Sequence, residues 1–205
     1  MLNKNTSSIW ETEKGESRKP MMTHMVMLAL LTGIGVATGF FGYRILPIGG
    51  FLSAFWPGMA IQVVGGIWYG MWGGIAGAIF PLIANTMSGV APIVVSLTYL
   101  PSNFIQSIGG GWAFRSFKVD PCLKDKRSML VFTLGAILLP NMIGAAWGST
   151  MMRLFGLITP ASHLLFFFVW WMGNSIPAWL LGIYMLRTIS PIVIKTKTFC
   201  KGFWA

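Results

Sequence analysis

Residues 55–89 read FWPGMAIQVVGGIWYGMWGGIAGAIFPLIANTMSG, and this stretch decides the fold. It is apolar from end to end and carries no charge. It has no run of Leu, and its small residues, two prolines and single amides suit a helical hairpin packed inside a membrane bundle. The aromatic cluster Trp68, Tyr69 and Trp72 marks the turn, which predicts spans over about 51–67 and 72–87. Gly66 and Gly70, then Gly73 and Gly77, repeat at four residues and read as packing positions. A phosphate-binding loop would need polar company that they lack.

The rest of the chain has the same character. Of 205 residues 55% are hydrophobic and 10% charged, with a mean hydropathy of +0.69, too apolar for a domain that must cover its surface with charge. At about 20 residues per span the chain holds about six spans. The expected division is a polar cytoplasmic leader over 1–22, one six-helix transmembrane domain over 23–188, and a basic cytoplasmic tail over 189–205. The leader is expected to be loosely held. The first apolar segment is full-length with no small-residue cleavage pattern after it, so a cleavable signal peptide is not expected.

The net charge of +10 does not point to nucleic acid, because the charges flank the apolar segments. All five acids, Glu11, Glu13, Glu16, Asp120 and Asp125, lie outside them, so no buried carboxylate serves a proton relay or a cation path. His24 and His163 are far apart, and Cys122 and Cys200 lack a CxxC partner. Neither a metal site nor a cofactor is expected, and both cysteines read as reduced thiols. No nucleophile with an adjacent base is visible, so the chain is not expected to be an enzyme.

The first span covers about 23–43. Ala29, Gly33 and Ala37 recur at four-residue steps, and Gly35 and Gly39 make a second row. Such rows let another helix approach closely: either a neighbour in the same chain or a partner subunit. The fourth span, about 92–114, stacks Ser96, Tyr99, Asn103, Gln106 and Gly110 on one face. The fifth, about 129–152, sets Asn141, Ala145, Gly148 and Met152 along a face, and the sixth, about 163–186, does so with His163, Trp170 and Asn174. Thirteen of the fifteen basic residues fall on one side if the amino terminus is cytoplasmic, leaving Arg44 and Arg153 outside. The fold expected is therefore an all-α integral membrane protein, a multi-pass six-helix transmembrane bundle in the cytoplasmic (plasma) membrane with both termini cytoplasmic.

Amides in hydrocarbon need partners, so the polar faces turn inward. Trp56, Asn85, Tyr99, Asn103, Asn141, Trp170 and Asn174 are the candidate ligand contacts. Tryptophans and uncharged amides suit a flat, uncharged or weakly cationic small molecule entering from the outer side. Pro57, Pro81, Pro101, Pro140 and Pro177 fall within successive spans and are expected to kink them and open space.

The blocks WPGMAIQ, WYGMWGGIAGA, PSNFIQSIGGGWAFRSF and FVWWMGN resemble the first membrane-associated sensor (MASE) domain family of bacterial signalling proteins. That likeness implies a sensory membrane domain signalling through a partner protein. In size, span number and small-residue first helix the chain is similar to the substrate-binding S components of energy-coupling-factor transporters. This second resemblance implies that Ala29, Gly33 and Ala37 contact a membrane partner subunit, and that a small molecule is captured for uptake. S-component-like capture is the reading adopted; the stand-alone sensor is the alternative.

Overall fold

The computed structural model describes residues 8–12, 19–47 and 53–205. Lys4, Lys14 and Arg18 of the leader, and residues 51–52 of the second expected span, lie outside them. The described elements are helical: α1 (Met22–Gly42), α2 (Gly58–Tyr69), α3 (Met71–Ser88), α4 (Ile93–Thr98), α5 (Leu100–Phe117), α6 (Lys126–Leu154), α7 (His163–Thr188) and α8 (Ser190–Val193). Among the described residues there is no strand, and Pro47 and Ser53 form an isolated bridge.

Six rods, α1, α2, α3, α5, α6 and α7, run up and down through one bundle. Among the described residues three stretches are long and apolar enough to cross a bilayer by themselves: α1, α6, and residues Pro160–Thr188, which contain α7. Six such spans were expected, and the shortfall has physical causes. The second rod starts only after Pro57 and has 12 residues, about 18 Å of helix against a hydrocarbon core of about 30 Å. In α5 the inward Ser102, Asn103, Gln106 and Ser107 lower the hydropathy, and in α3 glycines, Pro81 and Asn85 do the same.

The short helix α2 is the core of the bundle. Every residue of it except Ile61 is buried, against α3, α5, α7 and α1. On α1 and α7 the pattern is reversed, with Met25, Val26, Leu30 and Ile34, and Leu164, Leu165, Phe168 and Leu180, exposed. Apolar side chains turned outward suit helices whose solvent is lipid. Between α2 and α3 the turn falls at Gly70, as expected from the aromatic cluster. Its φ of 55° is a region open to glycine at little cost.

Prolines divide into two groups. Pro57 and Pro101 stand at the starts of α2 and α5, where the missing donor removes no helical bond, so they do not kink a span as expected. The fourth span is instead broken into α4 and α5 at Tyr99. Pro81 and Pro177 lie inside helices, and each frees the carbonyl four residues earlier. A neighbour takes both: Gln62 Nε2 donates to Gly77 O at 2.8 Å, and Trp56 N donates to Gly173 O at 2.9 Å. Pro140 follows a π-helical stretch, Phe132–Leu138, within α6. There Leu138 O accepts from Trp171 Nε1 at 3.0 Å.

Both described terminal segments close one end of the bundle. Trp10 is buried, donating to Val119 O at 2.7 Å with its ring 5.3 Å from Phe199. Glu11 pairs with Lys118 at 2.6 Å. Arg115 donates to Cys200 O at 2.6 Å and Gly202 O at 2.7 Å, and Cys200 N to Trp68 O at 3.0 Å. This part of the leader is docked, not loose, because Ile9 and Trp10 supply apolar surface that packs on the bundle.

Candidate functional site

At the opposite end a cavity lies among α2, α3, α5, α6 and α7, the end of α1 and the loops before α2 and after α3. Six of the seven expected contacts, Trp56, Asn85, Tyr99, Asn103, Trp170 and Asn174, line it. The seventh, Asn141, does not. It accepts from Gln106 Nε2 at 3.0 Å and donates to Ser175 Oγ at 3.3 Å, tying α5, α6 and α7 together. Sequence reasoning missed Tyr43, Ser53, Met59, Val90, Ala91 and Met152, which complete the lining with Pro81. Tyr43 ends a helix and Ser53 sits in a loop, so neither carried a periodic signal.

Each wall is held by its own local chemistry. The Trp56 indole donates to Gly39 O at 3.3 Å and stacks on Phe80 with centroids 5.9 Å apart. Tyr99 meets Trp170 edge-on at 5.4 Å. Asn85 Oδ1 accepts from the Tyr43 hydroxyl, joining α1 to α3. Ser53 Oγ donates to Gly42 O at 3.1 Å and accepts from Phe55 N at 3.2 Å, fixing the loop.

Two groups are left over. The carboxamides of Asn103 and Asn174 are 7% and 5% exposed, and among the described residues neither has a hydrogen-bond partner. Both line the same cavity, and among the described residues that line it none is charged or a histidine. Their polar atoms still reach the cavity, so each leaves a donor and an acceptor for water or a ligand. The cavity has about 40 Å³ of free space, room for about three waters. A ring compound needs it to widen.

Ala29, Gly33 and Ala37 are exposed, and a Cβ added to Gly33 would meet nothing within 4 Å. Contact inside the chain is made by the other row: Gly35 abuts Phe80, and Gly39 faces Ala84 and Trp56. The reading of the first row as a contact with a neighbouring helix of the same chain is thereby corrected for the described residues.

Sequence reasoning also missed that Ser149 Oγ and His163 Nε2 lie 3.2 Å apart, between α6 and the first residue of α7. Among the described residues no carboxylate bonds that imidazole, and no three His, Cys, Asp or Glu side chains gather as a metal set. Compared with family models, curated proteins and solved structures, the chain matches none of them.

Proposed function

We propose that the protein is a six-span subunit of the cytoplasmic membrane, both termini inside, that captures a small uncharged molecule from outside for uptake through a partner subunit. The observation that carries this reading is the pair of unpartnered amides, Asn103 and Asn174, facing one aromatic-walled cavity. A planar ligand with a donor and an acceptor on one edge would satisfy both, with Trp56, Tyr99 and Trp170 supplying faces and edges. A charged ligand would be left without a counter-charge, which costs several kcal/mol in such surroundings.

The topology supports six passes. Terminal segments and the basic 118–127 stretch meet at one end, while Arg44 and Arg153 stand at the other, as the distribution of basic residues in membrane proteins would have it. The exposed row Ala29, Gly33, Ala37 is the face offered to a partner. The test is extraction of small molecules from purified protein, followed by mass spectrometry. A species present with wild type and absent from the N103A/N174A double variant supports capture at this site; identical extracts overturn it.

A further inference from the structure

We infer that a second site, in the cleft between α6 and α7 beside Arg153, takes the phosphate head of an anionic phospholipid, with an acyl chain laid along the cleft. The cleft has about 140 Å³ of free space, against about 40 Å³ in the central cavity. It is lined by Ala146, Ser149, Thr150, His163, Leu164 and Phe167, none of which lines the central cavity. Leu164 is 65% exposed, so the cleft opens on the outer surface of the bundle, where the inference needs only the bilayer placement proposed above and not ligand capture.

Its polarity is graded along the helices. Ser149, Thr150 and His163 lie nearest the helix ends, and Ala146 and Phe167 one turn deeper. Arg153 follows Ser149 and Thr150 by four and three residues and shares their face. Among the described residues its guanidinium has no partner. Arg44, the other cation at this end, is already engaged, donating to Phe40 O at 3.3 Å and lying over the Phe40 ring at 4.1 Å. The Thr150 hydroxyl likewise has no partner among the described residues, and Ser149, fully buried and bonded to Ala146 O and His163 Nε2, holds the imidazole at the cleft. No Asp or Glu occurs anywhere from residue 126 to the carboxyl end. A free guanidinium beside the Thr150 hydroxyl and the His163 imidazole, with no acid near it, suits a phosphodiester, and nothing there would pair the ammonium of a zwitterionic head. The apolar end suits the chain below it.

The test uses detergent-purified, delipidated full-length protein and native mass spectrometry after adding dioleoylphosphatidylglycerol or dioleoylphosphatidylcholine. Retention of the glycerol lipid at least tenfold above the choline lipid is expected, falling at least fivefold in R153Q and in T150A and unchanged in R44Q. Equal retention of both lipids overturns the inference while leaving the bilayer placement intact. Equal loss in R44Q and R153Q reduces it to surface charge and overturns it. Displacement of the lipid by inorganic phosphate assigns the site to a free anion, which also overturns it.

Discussion

The backbone amide of Trp56 donates to the carbonyl oxygen of Gly173 at 2.9 Å, and that carbonyl is available because Pro177 has no N–H to offer it. One proline in α7 thus positions an aromatic wall of the cavity that belongs to the loop before α2. Gly173 is needed for the approach, since a Cβ there would lie 2.7 Å from Ser53 O. Gly173→Ala is expected to lower the melting temperature, at a cost of about 1–3 kcal/mol for overpacking against backbone. Pro177→Ala returns a helical donor to Gly173 O and releases Trp56. Fluorine NMR of fluorotryptophan-labelled protein, with the Trp56 resonance assigned through W56F, should show that signal moving; an unmoved signal refutes the coupling.

The asparagines separate by what they touch. Asn103 and Asn174 have no hydrogen-bond partner among the described residues, so N103A and N174A are expected to leave thermal stability unchanged or raised. Asn141 bonds Gln106 and Ser175, and N141A leaves both exposed to the loss. It is expected to cost about 2 kcal/mol. Thermal melts in detergent check the contrast, and destabilisation by N103A equal to that of N141A would show that the cavity amides are structural.

The helical class, and the membrane-length helices α1, α6 and α7, were legible because charge and apolarity alternate along the chain in long blocks; the six-span count was not, because α2, α3 and α5 are shortened or made more polar by proline, glycine and inward amides. Most of the cavity lining was legible for a related reason: an amide on an apolar helix has to face inward, so Asn85, Asn103 and Asn174 had few places to go. Asn141 obeyed the same rule and found side-chain partners instead. Tyr43 and Ser53 were hidden because a chain end or loop has no periodicity from which to read a direction. The docking of Trp10 and the carbonyl bonds of Arg115 were hidden as well, because they join residues separated by tens to more than a hundred positions and leave no local pattern.

Gln62 performs for α3 what Trp56 performs for α7. Its Nε2 donates to Gly77 O and to Asn103 O, each at 2.8 Å, holding the carbonyl freed by Pro81 and the backbone of a cavity residue. Gln62→Leu strips two buried carbonyls of their donor and is expected to destabilise by about 2–4 kcal/mol. Gln62→Glu should do worse, because it loses the donors and introduces a carboxylate in the bundle core. Melting temperatures in the order wild type, Q62L, Q62E are expected, and a Q62L melt equal to wild type would contradict the role.

The two small-residue rows on α1 predict opposite phenotypes. Gly35 abuts the Phe80 ring, so Gly35→Leu should lower stability by at least 1–3 kcal/mol, the range for overpacking. Gly33 opens onto free space, so Gly33→Leu should leave the melting temperature within about 1 °C of wild type, given the small effect of most surface changes. Its effect should appear only as loss of partner co-purification. Retained co-purification with G33L would remove the row from the interface.

Cys122 gives the chain a measurable response to alkaline pH. Cys122 is 3% exposed, and burial, then the Asp120 carboxylate, push its thiol up from its ordinary 9.0 to about 11. In the unfolded chain the thiol loses its proton first as pH rises, so the folded state binds the extra proton between these two values. The contribution to stability is therefore constant below about pH 9 and declines from there through about pH 11. In a C200S background, the difference in melting temperature between the C122 protein and its C122S variant should be flat at neutral pH and shrink above pH 9. Alkylation by iodoacetamide, which needs the thiolate, should be slow at neutral pH and faster in D120N. Rapid labelling of folded protein at neutral pH would contradict both the burial and the raised thiol.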